Sequence, residues 1–172
     1  ETIDGQYHLG SWKVKNPKEV IVPGDSSMAS FAILLCKLHN NKINISFWPE
    51  HKDCLGNEIL KNESSNLGII WQGNEINSTS NGSIANYDLT DCNDLITPLS
   101  VIIAISSGGT LTGIGHTKYK ESNRISKTIS LMEDFGLSAY YEGGILTIPG
   151  GQIPETPTAA VSSHNDHRIF MT

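Results

Sequence analysis

Seven consecutive residues, Lys118-Tyr119-Lys120-Glu121-Ser122-Asn123-Arg124, gather three cations around one carboxylate. A second charged run, Asn165-Asp166-His167-Arg168, follows downstream. Arginine guanidinium groups are planar forks that fit phosphate or carboxylate. Arg124 and Arg168 both fall at the expected start of a helix, where free backbone N–H groups and the macrodipole also favour an anion. Each charge-assisted contact contributes about 1.5–3 kcal/mol net, so two arginines and a helix end can hold a doubly charged small molecule. Lys118 and Lys120 raise the local potential further. Taken alone, residues 118–124 also fit an ordinary solvated face. Their place between a strand and an amphipathic helix, with a second cluster downstream, favours two parts of one anion site.

Glu121, flanked by Lys120 and Arg124, ionises readily, so a proton-donor role for it requires burial or an anionic ligand close by. Asp94 stands at a helix start just after Cys92-Asn93. It reads equally as a general base or as a plain N-cap. His164 and His167 form an H-x-x-H pair without a third ligand at usable spacing, so no metal site is expected. Neither G-x-x-x-x-G-K-[ST] nor G-x-G-x-x-G occurs, and no nucleotide cofactor is implied.

The elements that must position these groups follow from periodicity. Short alternating stretches at 6–9 and 11–15 predict a hairpin, and 19–22 a strand. Asp25 or Ser26 caps a helix whose face carries Met28, Phe31, Ala32, Leu35 and Leu38, and Asn40-Asn41 ends it. Residues 42–48 alternate as a strand, 55–60 are irregularly helical, and 69–72 with 75–76 make a hairpin. The order then recurs. A strand at 87–89 leads to a helix capped by Thr97 with Pro98 in its first position. The apolar run 99–105 is buried, and a strand covers 110–114. Ile125, Thr128, Ile129 and Met132 line one face of a helix closed by Gly136, and 138–142 with 145–148 form the matching hairpin. Asp25, Asp94 and Asp166 each precede a helix, about seventy residues apart, which marks an internal repeat. The fold class expected is α/β (α+β), with repeated βαβαββ units at roughly 19–80 and 86–150 and the start of a third at 158–172. Sheets packed around a helical core are the expected arrangement.

A chain of 172 residues can bury one core, and with 17% charged and 38% hydrophobic residues it is globular rather than disordered. A net charge of −6 argues against a nucleic-acid surface. No apolar run approaches the roughly 20 residues that span a membrane, and no signal-peptide pattern opens the chain. Cys36, Cys54 and Cys92 are widely spaced and show no metal pattern, which predicts reduced thiols in a cytoplasmic protein. A start at Glu1 and a stop one turn into a helix at 168–171 suggest a piece of a larger protein.

Four stretches bring these residues to a known family. Residues 23–31 (PGDSSMASF), 93–98 (NDLITP), 118–124 (KYKESNR) and 163–168 (SHNDHR) resemble, in order and spacing, the EPSP synthase (3-phosphoshikimate 1-carboxyvinyltransferase) family. The likeness runs across essentially the whole chain. It implies an enzyme of the shikimate pathway of aromatic amino-acid biosynthesis. That enzyme moves the enolpyruvyl group of phosphoenolpyruvate to the 5-hydroxyl of shikimate 3-phosphate. The implied fold is the inside-out, barrel-like domain of enolpyruvyl transferases, two such domains closing on the substrates. By position, Asp94 looks like the residue that takes the hydroxyl proton and Glu121 like the acid that protonates the phosphoenolpyruvate methylene. Arg124 and Arg168 look like the phosphoenolpyruvate clamp, with His167 beside it. Lys120 and His116 fall where the family contacts shikimate 3-phosphate. Such an addition needs a base on the hydroxyl, an acid on the alkene carbon and cations around the phosphate and carboxylate.

The departures are informative too. The family's second domain, with its own phosphate-binding residues, has no counterpart in this sequence, nor has the lysine that follows Asn-Asp-His-Arg in the family. His116 stands where some members carry Asn, and Ser26-Ser27-Met28 replaces the more usual serine pair. The chain is therefore expected to be inactive alone. Two other readings remain: a UDP-N-acetylglucosamine enolpyruvyl transferase, which shares the fold but not this pair of motifs, and a non-catalytic anion-binding module of the same fold.

Overall fold

The apolar run beginning at Ile96 is buried along its whole length, and the other elements wrap it. The computed structural model describes residues 2–3, 6–7, 13, 19, 22, 24–48, 56–79 and 82–172. In chain order, β1 (Thr2–Ile3) pairs antiparallel with β2 (Gln6–Tyr7). Strand β2 falls on the first arm of the expected hairpin at 6–9. The second arm at 11–15, like the strand expected at 19–22, lies largely outside the described residues.

Helix α1 (Ser26–His39) is capped by Asp25, whose side chain accepts from the backbone N–H groups of Ser27 and Met28. It ends at Asn40, in the left-handed region at φ 49°. Of the strand expected over 42–48, only β3 (Ile43–Asn44) pairs, with Ile43 facing Ile76. The irregular helical stretch becomes a π-helical turn (Glu58–Asn62) and a 3-10 turn (Ser64–Leu67). Strands β4 (Ile69–Gln72) and β5 (Glu75–Ser78) then form the expected hairpin.

The second half begins with β6 (Ala85–Asp88), a 3-10 turn (Asn93–Leu95) and α2 (Ile96–Ala104). Thr97 is not the cap. The 3-10 turn feeds directly into the helix, and the Thr97 hydroxyl sits 3.1 Å from that of Thr128 inside the core. Pro98 accordingly lies in the first turn rather than at its first position, still among helix N–H groups without intrahelical partners. Strand β7 (Gly109–Thr112) runs parallel to β6 and is followed by a 3-10 turn (Gly115–Tyr119). Helix α3 (Arg124–Asp134) buries Ile125, Thr128, Leu131 and Met132 on one face. Strands β8 (Tyr140–Glu142) and β9 (Ile145–Ile148) close the half as a hairpin, and α4 (His167–Met171) ends the chain.

The two larger sheets show the repeat. Their orders are β3-β5-β4 and β6-β7-β9-β8, so the first matches the last three strands of the second. The counterpart of β6 would fall at the 19–22 stretch, of which only residues 19 and 22 are described. Helix α2 packs against α1, α3, β7 and β9, which makes it the centre of the apolar core. Crossing backbones fix the sheet at Gly109, where a Cβ would stand 1.7 Å from the Ala85 carbonyl oxygen, so only glycine fits beside β6. No helix among the described residues is long and apolar enough to cross a membrane.

Candidate active site

The starts of α1, α3 and α4 and the 3-10 turn before α2 meet at one end of the helical core. Each brings a polar side chain from its own cap or first turn. Asp25 is spent on its own helix, accepting from Ser27 N at 2.9 Å and Met28 N at 3.3 Å. Burial pushes its carboxyl up, but hydrogen bonds from Ser27 and Met28, with the charge of Arg168, hold it below its ordinary value. Asp94, the residue in register with it, behaves differently. No side-chain cap bond is made at either start, neither before the 3-10 turn nor before α2, so Asp94 is not a plain N-cap. Its Oδ1 accepts from Arg124 Nη1 at 2.6 Å and lies 3.7 Å from Lys120 Nζ, and its Oδ2 accepts from Arg168 Nη2 at 3.0 Å. The carboxylate stays a third exposed.

Arg124 is the hub. It is 1% exposed and divides its guanidinium among three carboxylates. Nε donates to Asp166 Oδ2 at 2.9 Å, Nη1 to Asp94, and Nη2 to both Glu121 Oε2 and Asp166 Oδ1. Burial opposes its charge, yet the hydrogen bond and charge of Asp166, with Glu121 and Asp94, hold it more firmly protonated than a free arginine. A buried cation is stable only with such pairing. Glu121, half-exposed, keeps its other oxygen 3.6 Å from His167 Nδ1.

Asp166 is also 1% exposed. It caps α4 by accepting from Arg168 N at 2.9 Å and takes a further bond from Ser122 Oγ at 2.9 Å. Burial raises its carboxyl, but the bonds from Arg124, Ser122 and Arg168 N and the Arg124 charge bring it below its ordinary value.

Arg168 is buried at 6% exposure, its head 6.0 Å from the Phe31 ring centroid. Nη2 donates to Asp94 and, at 3.2 Å, to Ser27 Oγ. Nε and Nη1 are buried without a hydrogen-bond partner among the described residues. Buried guanidinium protons without acceptors are costly, and an arginine so held is primed for an anion.

The structure therefore brings together Asp94, Lys120, Glu121, Arg124, His167 and Arg168. His116 lies apart from this cluster, exposed on the 3-10 turn, and makes no hydrogen bond or ion pair with it. Three contributors escaped sequence reasoning: Ser27, Ser122 and the structural side of Asp166. The one signal for Asp166 was its register with Asp25 and Asp94. Nothing in composition distinguishes Ser27 or Ser122 from any surface serine.

A repeated α/β domain brings carboxylates and arginines together at converging helix starts, an arrangement that can hold a small anion. The family model of EPSP synthase (3-phosphoshikimate 1-carboxyvinyltransferase) matches residues 4–172, and the chain belongs to that family. It is 31% identical over 161 residues to the 3-phosphoshikimate 1-carboxyvinyltransferase of Methanococcoides burtonii, covering 90% of this chain and 36% of that protein. Against the enzyme of the same name from Methanobrevibacter smithii it is 30% identical, covering 89% of this chain and 35% of the relative. Pentafunctional AROM polypeptide 2 of Lodderomyces elongisporus is 25% identical over 190 residues, 12% of its length. The fold matches that of the EPSP synthase from Acinetobacter baumannii with TM-score 0.62 at 22% identity, over 87% of this chain and 38% of that one. The chain thus spans about a third of the length of the single-function relatives it matches.

Proposed function

We propose that the protein carrying this chain transfers the enolpyruvyl group of phosphoenolpyruvate to the 5-hydroxyl of shikimate 3-phosphate, and that residues 1–172 form about two of three units of one of its domains. Family membership supports the reaction, and the observation that carries the reading is Arg168. Its two unpartnered, buried donors await a planar or tetrahedral anion, and phosphoenolpyruvate offers both a carboxylate and a phosphate. Arg124 is the second cation of that clamp, with one Nη1 proton not used by Asp94, and His167 closes its edge. Lys120 reaches shikimate 3-phosphate, and His116 joins it from the neighbouring turn once the opposite wall is in place.

Asp94 takes the proton of the attacking hydroxyl as the C–O bond forms at the second carbon of phosphoenolpyruvate. Glu121 delivers a proton to the methylene carbon, which becomes a methyl group. Loss of inorganic phosphate and of one methyl proton then restores the double bond, so the atoms balance without a cofactor. The guanidinium groups offset the charge that gathers on the carboxylate and phosphate along this path. The second domain supplies the facing wall, and neither nucleic acid nor a membrane has a part. The reaction is placed in the cytoplasm.

The test is phosphate release by the full-length protein with phosphoenolpyruvate and either shikimate 3-phosphate or UDP-N-acetylglucosamine as acceptor. Turnover with shikimate 3-phosphate alone is expected. Turnover only with the UDP-sugar, or binding of phosphoenolpyruvate without turnover, overturns the assignment. The second of those results returns the chain to an anion-binding module.

A further inference from the structure

Asp166 joins the two charged runs, yet its oxygens point at protein rather than at open space. Of its four hydrogen bonds, one comes from Ser122, two from Arg124 and one from the Arg168 backbone. The partners on one side carry Glu121 between Lys120 and Ser122. Those on the other carry His167 and Arg168 at the start of α4. Arg124, once fixed by Asp166, presents its remaining edge to Asp94 Oδ1 and Glu121 Oε2. One buried carboxylate thereby sets the orientation of a base, an acid and a cation that come from three separate segments.

We propose that Asp166 is the positioning residue of this site: it holds Arg124 and the first turn of α4 so that Asp94, Glu121 and Arg168 meet one substrate. It touches no substrate itself and acts through Arg124 and the helix cap. Three features separate this from an ordinary cap. Asp25, the cap in register on α1, bonds only within its own first turn and does not reach across to another element. Asp166 instead receives a two-nitrogen bond from a residue 42 positions away. It is also fully buried, whereas the bonds of Asp25 are exposed. A cap alone needs neither the guanidinium nor the Ser122 hydroxyl. Displacing a catalytic group by about 1 Å can cost on the order of 100-fold in rate, and loss of an orienting outer-shell partner about 10–100-fold.

The inference rests on the reaction proposed above for its kinetic test and has a second test that does not. The informative variant is Asp166→Asn, because Asn is as good a cap as Asp and keeps the shape while removing the charge that grips Arg124. Ser122→Ala, which removes one bond and leaves the charge, is the milder companion. In the full-length protein, kcat of Asp166→Asn is expected to fall about 10–100-fold, with KM for phosphoenolpyruvate rising as well because Arg124 and Arg168 lose their fixed positions, and Ser122→Ala between it and wild type. Wild-type kcat in Asp166→Asn, whatever its thermal midpoint, overturns the proposal, since the carboxylate then serves stability alone. The second test is nitrogen-15 NMR of the arginine Nε–H groups. The Arg124 signal is expected to be protected from solvent exchange in the wild type and to exchange freely in Asp166→Asn; an unchanged signal also overturns the proposal. If the wild type releases no phosphate while the Arg124 signal responds as stated, the reaction is wrong and the positioning role stands.

Discussion

Asp94 and Arg168 stand 74 positions apart in sequence and share a 3.0 Å hydrogen bond between Oδ2 and Nη2. That bond occupies one guanidinium nitrogen and leaves Nε and Nη1 buried without acceptors among the described residues. A carboxylate and a guanidinium are thus held side by side, each fixing the other's direction. The spacing of charges, and not any one residue type, defines the site.

If Arg168 contacts phosphoenolpyruvate through those two nitrogens, Arg168→Ala should weaken binding about 100-fold, the worth of one or two charge-assisted bonds. Calorimetric titration of the full-length protein with phosphoenolpyruvate in the presence of shikimate 3-phosphate measures this. Unchanged affinity would remove Arg168 from the clamp.

Asp94→Asn tests the base. The substitution keeps an oxygen for Arg168 and removes the proton acceptor, so kcat should drop about 100–10,000-fold while phosphoenolpyruvate affinity stays within a few-fold. An equal loss in both quantities would mean that Asp94 organises binding and does no proton transfer.

Asp166 titrates below its ordinary 3.8 in the folded protein, so the unfolded chain binds more protons between the two values. Its contribution is complete above pH 3.8 and is lost as pH falls through the folded value. Urea midpoints at pH 5 and pH 3, recorded for wild type and Asp166→Asn, should converge at the lower pH. Parallel curves would show that the Arg124 pair adds no acid-sensitive stability.

Lys37 gives the opposite case. It is buried on α1, with Nζ donating to the carbonyl oxygens of Gly68 at 3.3 Å and Thr79 at 2.5 Å. Burial lowers its proton affinity below the ordinary 10.5, so the unfolded chain again holds more protons over the interval beneath that value. Stability therefore rises with pH as the amine becomes neutral. The wild type should gain on Lys37→Met between pH 8 and pH 10.5 in urea unfolding; a constant difference would show that the ammonium is fully offset by its two carbonyls.

Much of this was legible in the sequence because it follows local rules. The Asp25 cap, the Asn40 stop and the β4–β5 and β8–β9 hairpins all depend on turn chemistry within a few residues. The two charged runs were visible for the same reason. Thr97 misled because Thr and Pro side by side imitate a helix start, while the real entry is the 3-10 turn before it, and the hydroxyl instead meets Thr128 in the core. Arg124 was legible as a cation but not as a hub: which carboxylates surround it depends on contacts 30 and 42 positions away, beyond any local pattern. A still larger separation, 141 positions, hid Ser27 behind Arg168.

The longest of these links has a consequence for the order in which the molecule is made. Ser27 and Arg168 meet across 141 positions, so the cluster of arginines and carboxylates closes only when α1 and α4 are both in place. While the chain emerges from the N-terminal end, Arg124 and Asp94 can already pair, but Asp166 and Arg168 have not yet been synthesised. A version of this chain that stops before α4 should keep the core around α2 but lack the contacts that Asp166 and Arg168 make with Arg124, Asp94 and Ser27.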